Sequence, residues 1–160
     1  VNAYQSGNQK VIPAVLLYAF LDDRVLMIEK ADHWNGLGGK LELGESPLEA
    51  AVREFDEESG LSSRPEQWRW LGHLYFPNFR PQKQEDWSVT VWTIELQESA
   101  PLQNPPEGKL HWVPLREVSQ LTLWDGDTQF IPHVLSRTPF QGTLFYQDGR
   151  CVRSELSTIL

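Results

Sequence analysis

The chain has one cysteine, Cys151, which cannot close an internal disulfide and cannot furnish a zinc site built on several thiolates. The fold must therefore be held by its core, and a reducing compartment is expected. Uninterrupted apolar runs of the 18 or more residues that a bilayer span requires are missing too, so no membrane partner is expected. Basic side chains are scarce: 14 Lys and Arg stand against 22 Asp and Glu, a net charge of -8 that repels bare phosphate backbones and argues against duplex nucleic acid as a partner. A divalent cation would reverse that sign locally. No basic segment followed by an apolar one opens the chain, so no secretory leader is expected, and the expected location is cytoplasmic. Val1 in place of an initiator Met suggests that it is not the original start.

Aromatic residues, by contrast, are plentiful. Seven tryptophans in 160 residues are several times average usage, which leaves some of them available for work beyond packing. A chain of this length, 40% apolar, buries roughly two thirds of the surface that its unfolded form exposes, enough for one core. Residues 1–9 are polar and are expected as a flexible arm, with residues 10–160 as a single domain.

The apolar run Val11 to Phe20 predicts a strand covered on both faces, turning at Leu21-Asp22-Asp23 into a second strand from Val25 to Ile28. Ala31 to Leu37 is expected as a loop, followed at Gly38-Gly39 by a short extended piece, Lys40 to Leu43. Ser46, Pro47 and Glu49 form an N-cap, a first-turn proline and a capping box, so a helix is expected over Pro47 to Ser59 with Gly60 ending it. Further strands are expected at Trp68 to Tyr75, Ser88 to Leu96 and Leu110 to Val113, then a short helix after Pro114, a helix at Phe130 to Leu135 and a final strand at Gly142 to Tyr146. The pattern is α/β: one mixed β-sheet flanked by helices.

The Pro47 to Ser59 helix carries the chemistry. Leu48, Ala51, Val52 and Phe55 share one face at about 100° per residue and should pack on the sheet. Glu54, Glu57 and Glu58 share a neighbouring face, where three carboxylates at i, i+3 and i+4 repel one another. A hard dication resolves that conflict, because Mg²⁺ or Mn²⁺ takes oxygen ligands and bridges carboxylates to substrate phosphates. Read alone, Glu54 to Glu58 is a solvated helix face. The surroundings decide: Gly39, five residues, Glu45, seven residues, then Arg53-Glu54-Phe55-Asp56-Glu57-Glu58-Ser59-Gly60-Leu61.

That stretch resembles the Nudix box, G-x5-E-x7-R-E-U-x-E-E-x-G-U, at every specified position. A chance match of the seven fixed letters in a chain of this length is on the order of one in a million. The resemblance implies the Nudix α/β/α sandwich, and it implies hydrolysis of a diphosphate linked to some group X with Mg²⁺, or Mn²⁺, as cofactor. It makes Glu54, Glu57 and Glu58, with the Gly38 carbonyl, the metal ligands. Glu45 is placed to pair with Arg53 and hold the ligand-bearing turn. The carboxylate that accepts the proton of water would be Glu54, Glu57 or a loop Glu, and Glu107 matches the position of an additional ligand or base in similar enzymes.

The segment Trp34-Asn35-Gly36-Leu37-Gly38-Gly39-Lys40 is similar to the W-N-G-x-G-G-K of MutT-type oxidised-purine nucleoside triphosphatases. That similarity implies that Asn35 hydrogen-bonds a purine and that Lys30 lies beside a small-molecule nucleotide, with Gly38, Gly39 and Lys40 in the substrate site. Leu123-Trp124-Asp125-Gly126-Asp127 resembles the segment in which a Trp stacks on the base and acidic residues read its edge. Here Gly126 replaces one of two adjacent acids. The implied reaction turns triphosphates such as 8-oxo-dGTP into monophosphate and pyrophosphate, a sanitation of the nucleotide pool.

Other readings of the sequence stay open. Pro77, sixteen residues beyond Leu61, resembles the downstream proline of ADP-ribose pyrophosphatases, and RNA 5′ ends or a nucleotide sensor without turnover are further readings. Trp87 and Phe79 could line the same pocket, with no role assigned. His33, His73, His111 and His133 show no short metal-ligand spacing and are expected to be structural or exposed. Gly39-Lys40 lacks the spacing of a P-loop, and no G-x-S-x-G elbow is present.

Overall fold

Lys10–Leu21 forms one long strand, β1, around which the other elements are arranged, because its side chains alternate between two apolar layers. The computed structural model describes residues 9–160, so the arm expected over residues 1–9 lies, apart from Gln9, outside the described residues. Chain order continues with β2 (Arg24–Lys30), β3 (His33–Asn35), β4 (Leu37–Lys40), α1 (Pro47–Ser59), β5 (Trp68–Arg80), β6 (Glu85–Leu96), β7 (Lys109–Pro114), α2 (Asp127–Leu135), β8 (Phe140–Gln147) and β9 (Arg150–Thr158). Three short 3-10 turns lie at Pro65–Gln67, Pro81–Lys83 and Leu115–Gln120, the last of them the short helix expected after Pro114.

The strands make one mixed sheet in the order β3-β2-β1-β6-β5-β8-β9. β1 runs parallel to β6 along its whole length, from Lys10↔Glu85 to Leu21↔Leu96. Its other edge is shared. β2 pairs with it only beside the Asp22-Asp23 turn, and β4 takes Ala14 to Leu17, so the sheet forks there. β7 adds to β2 beyond the fork.

The two faces have separate cores. Val15, Leu17 and Ala19 pack with Leu26 and Ile28 under α1, which contributes Ala50, Ala51 and Phe55. Ala14, Tyr18 and Phe20 pack on the opposite face with Phe130, Ile131 and Val134 of α2. This is the mixed sheet flanked by helices expected from the pattern, and the α/β/α sandwich that the resemblance implies. α1 has the bounds that its local signals dictate: Ser46 Oγ accepts from the Glu49 N–H at 3.1 Å, Glu49 Oε1 accepts from the Ser46 N–H at 3.0 Å, and Gly60 closes the helix with φ 77°. Such a cap contributes about 1 kcal/mol. Its apolar face is rotated slightly from the expected one, with Ala50, Glu58 and Ser59 buried and Leu48 and Val52 only partly so.

Several expectations are corrected. The extended piece lies at Leu37–Lys40 and not at Lys40 to Leu43, because the bare backbone of Gly38-Gly39 is what fits against β1, while residues 41–45 turn toward α1. The loop expected over Ala31 to Leu37 contains β3. The strand at Phe140–Gln147 is not the last, since the Asp148-Gly149 turn leads into β9. No helix among the described residues is long and apolar enough to cross a membrane.

Candidate active site

The fork in the sheet sets β4 directly beneath α1. Gly38 and Gly39 are required there: a Cβ on Gly39 would stand 2.3 Å from Glu54 Oε1, and one on Gly38 would stand 2.1 Å from the Val15 carbonyl oxygen. The strand backbone and the helix carboxylates therefore approach without an intervening side chain. The Gly38 N–H donates to Glu58 Oε1 at 2.7 Å.

Arg53 organises the exposed side of the same cluster. Its Nε and Nη2 donate to the two oxygens of Glu45 at 2.6 and 2.7 Å, and Nη2 also reaches the Lys40 carbonyl at 3.1 Å. Nη1 donates to Glu54 at 3.0 Å and to Glu57 at 3.1 Å. This bidentate pair is the strong form of a carboxylate contact. The guanidinium hydrogen bonds hold the Glu45 carboxyl down at about 2, and the same carboxylates raise Arg53.

Glu54 and Glu58 shift the other way. Burial raises Glu54 and pushes Glu58 up to about 7, against the Gly38 N–H and Lys30, which favour the charge, while Glu54 and Glu107 oppose it. Glu57 stays exposed. Among the described residues, no three His, Cys, Asp or Glu side chains converge as a ligand set in this conformation. Arg53 holds one oxygen each of Glu54 and Glu57, and the Gly38 N–H holds one of Glu58. The donor chemistry fits a hard dication: carboxylates whose charge is costly in isolation, beside the Gly38-Gly39 backbone.

On the α2 side of β4, a cleft of about 600 Å³ opens. Lys30, Asn35, Gly38, Gly39, Trp124 and Asp127, six of the residues that the sequence singled out for substrate, line it together. Lys40 does not: it is exposed, and its Nζ sits 5.3 Å from the Trp87 ring. Arg53 and Glu57 lie on the helix outside the cleft, and Glu107 is exposed on the turn before β7, within electrostatic reach of Glu58. Pro77 is buried in β5 and does not line the cleft.

Trp87 and Phe79, left without a role by the sequence, are cleft walls, as are Arg80, Phe130 and Tyr146. Tyr146 also explains why a glycine stands at position 126. Its hydroxyl accepts the Gly126 N–H at 2.6 Å and lies 2.6 Å from where a Cβ would be, so a second acid has no room there. Nothing local in the sequence announces a contact across twenty residues.

The two remaining acids of that segment face different tasks. Asp125 accepts from Arg150 Nε at 2.6 Å and from the Cys151 N–H at 3.2 Å, and Arg150 lowers its pKa. The Asp127 carboxyl has no hydrogen-bond partner among the described residues, and burial pushes it up to about 7. Folding thus favours its protonated form, so this contribution is complete in acid and is lost as pH rises from the ordinary aspartate range near about 4 through 7. Asp127→Asn, which carries no charge, is expected to escape that loss. Thermal midpoints of the two proteins should separate between about pH 4 and 7, with the variant remaining higher, and parallel curves would refute the assignment.

Residues 10–134 match the family model described as NUDIX domain. An oxidized purine nucleoside triphosphate hydrolase of Mus musculus is 30% identical over 124 residues, covering 78% of this chain and 76% of its own. The protein of that name from Danio rerio is 28% identical, over 73% and 72%. A crystal structure of a mutator MutT protein from Bacillus halodurans aligns with a TM-score of 0.81 at 29% identity, over 91% of this chain and 97% of that one.

Proposed function

The chain belongs to the NUDIX family and is a Nudix hydrolase, and from that premise we propose that it is a Mg²⁺-dependent pyrophosphohydrolase of purine nucleoside triphosphates, oxidised forms such as 8-oxo-dGTP included, yielding monophosphate and pyrophosphate. The observation that carries this reading is the cleft itself. A ring platform, an amide, an unpartnered carboxyl and a lysine share one wall system that ends at the glycine pair under the carboxylate helix.

Each residue has a physical part in it. Trp124 offers a ring face to a base. Asn35 supplies donor and acceptor, although its Oδ1 already accepts from the Gly36 N–H at 2.9 Å. Asp127 takes N–H groups of the purine when ionised, and donates when protonated. Lys30 offsets phosphate charge in a chain whose net charge is -8. Glu54, Glu57 and Glu58, with the Gly38 carbonyl and Glu107 nearby, would hold the cation. When bound, Mg²⁺ neutralises phosphate oxygens and acidifies water. Glu54 or Glu57 receives the proton of the attacking water, and Arg53, locked to Glu45, keeps the helix turn that carries both in place.

The test is turnover of a panel of purine and pyrimidine triphosphates, 8-oxo-dGTP and ADP-ribose with Mg²⁺ present. Purine triphosphates should be cleaved fastest, with pyrophosphate as a product. Faster cleavage of ADP-ribose than of any triphosphate would defeat the proposal.

A further inference from the structure

His33, which the sequence leaves as a structural or exposed residue, lies parallel to Trp124, with ring centroids 4.2 Å apart and planes 10° from parallel. The backbone brings them together. The Trp34 N–H donates to the Thr122 carbonyl at 2.9 Å, and Trp34 bridges Leu123 in parallel, so β3 and the segment before α2 run side by side. Downstream of Trp124 the chain is fixed again through Asp125 and Gly126.

The indole itself has no such tether. Trp124 is 43% exposed, and its N–H makes no hydrogen bond among the described residues. Its ring angle is held by the imidazole on one face, and the imidazole is held by Asp32, whose Oδ1 lies 2.8 Å from His33 Nδ1. With that face covered, the ring has one face left for a ligand, and Trp124 lines the cleft.

We propose that His33 is a positioning residue for base recognition: it backs Trp124 and fixes the indole plane before a purine stacks on the other face. The inference rests on the reading that a base enters this cleft. Ordering a side chain in advance spares its entropy cost at binding, which corresponds to roughly a three- to tenfold change in affinity.

The experiment compares wild type, His33→Ala and His33→Phe on 8-oxo-dGTP and on inorganic tripolyphosphate, which has no base. His33→Ala should raise KM for 8-oxo-dGTP roughly three- to tenfold with kcat within about twofold, and should leave KM for tripolyphosphate unchanged. His33→Phe, which restores a flat ring, should bring KM back. His33 is partly exposed, so the variants lose little packing, and circular dichroism of each variant checks that it is folded. Equal KM values for wild type and His33→Ala, an equal rise on tripolyphosphate, or failure of a folded His33→Phe to restore KM would each overturn the assignment. A wild type that does not prefer 8-oxo-dGTP to tripolyphosphate would overturn the base-binding reading itself. A wild type with that preference matched by His33→Ala overturns only the role of His33.

Discussion

Glu57→Gln is expected to lower kcat by at least about a hundredfold while changing neither the fold nor the affinity for a non-hydrolysable nucleotide by much. Glu57 is more than half exposed, and its one side-chain hydrogen bond among the described residues is the 3.1 Å bond from Arg53 Nη1, which a glutamine oxygen can also accept. An exposed pair of this kind contributes at most about 1 kcal/mol to stability, so the thermal midpoint should move little. Reactivity is another matter. Whether Glu57 serves as cation ligand or as proton acceptor, the amide cannot supply the negative charge that either job needs. The cleft lies on the other side of β4, so Asn35, Trp124 and Asp127 keep their geometry. Measuring kcat, KM, thermal unfolding and analogue binding on one preparation separates these effects. A variant that keeps more than about a tenth of wild-type turnover would remove Glu57 from the machinery.

The contrast between what was and was not legible in the sequence follows the range of the forces involved. α1 could be read to the residue, because the capping box, the first-turn proline and Gly60 all act within a few positions of one another. The box residues share that advantage: Glu45 and Arg53 are eight apart and meet beside the first turns of the helix. β4 was misplaced by about three residues because its signal is an absence. Only the closeness of Val15 and Glu54 shows why Gly38 and Gly39 belong in a strand. β9 was missed because its residues are polar and it lies at the sheet edge, so no apolar alternation marks it, although Asp148-Gly149 is a recognised hairpin signal. The aromatic walls of the cleft come from β5, β6, β8 and α2, elements that meet only after the whole sheet forms. Trp87 and Tyr146 could not be assigned to one site by spacing, since no short-range pattern links them. His33 is a case of the same kind, adjacent in sequence to Trp34 yet defined by the ring of Trp124 on a later segment.

Gly38→Ala is expected to damage both stability and activity, and the comparison with Gly39→Ala shows why. The Cβ of an alanine at 38 would stand 2.1 Å from the Val15 carbonyl oxygen and within 3.2 Å of Leu16 Cα. Those atoms are the backbone of the central strand and cannot rotate away. The φ of 153° is also one that side chains rarely adopt. Strain of about 1–3 kcal/mol from the backbone, added to a similar cost for overpacking, gives a loss of about 2–6 kcal/mol, enough to threaten a domain of ordinary stability. Relief requires β4 to move off β1, which withdraws the Gly38 N–H from Glu58 and leaves a buried carboxyl without its donor. At position 39 the clash is with the carboxylate of Glu54, the end of a flexible side chain. Gly39→Ala should therefore unfold at nearly the wild-type denaturant concentration yet lose most of its turnover, because Glu54 is displaced. Chemical denaturation and kcat for both variants check the pair of expectations. If Gly38→Ala were as stable as wild type, or Gly39→Ala as active, the close docking of α1 on β4 could not be what arranges the carboxylates.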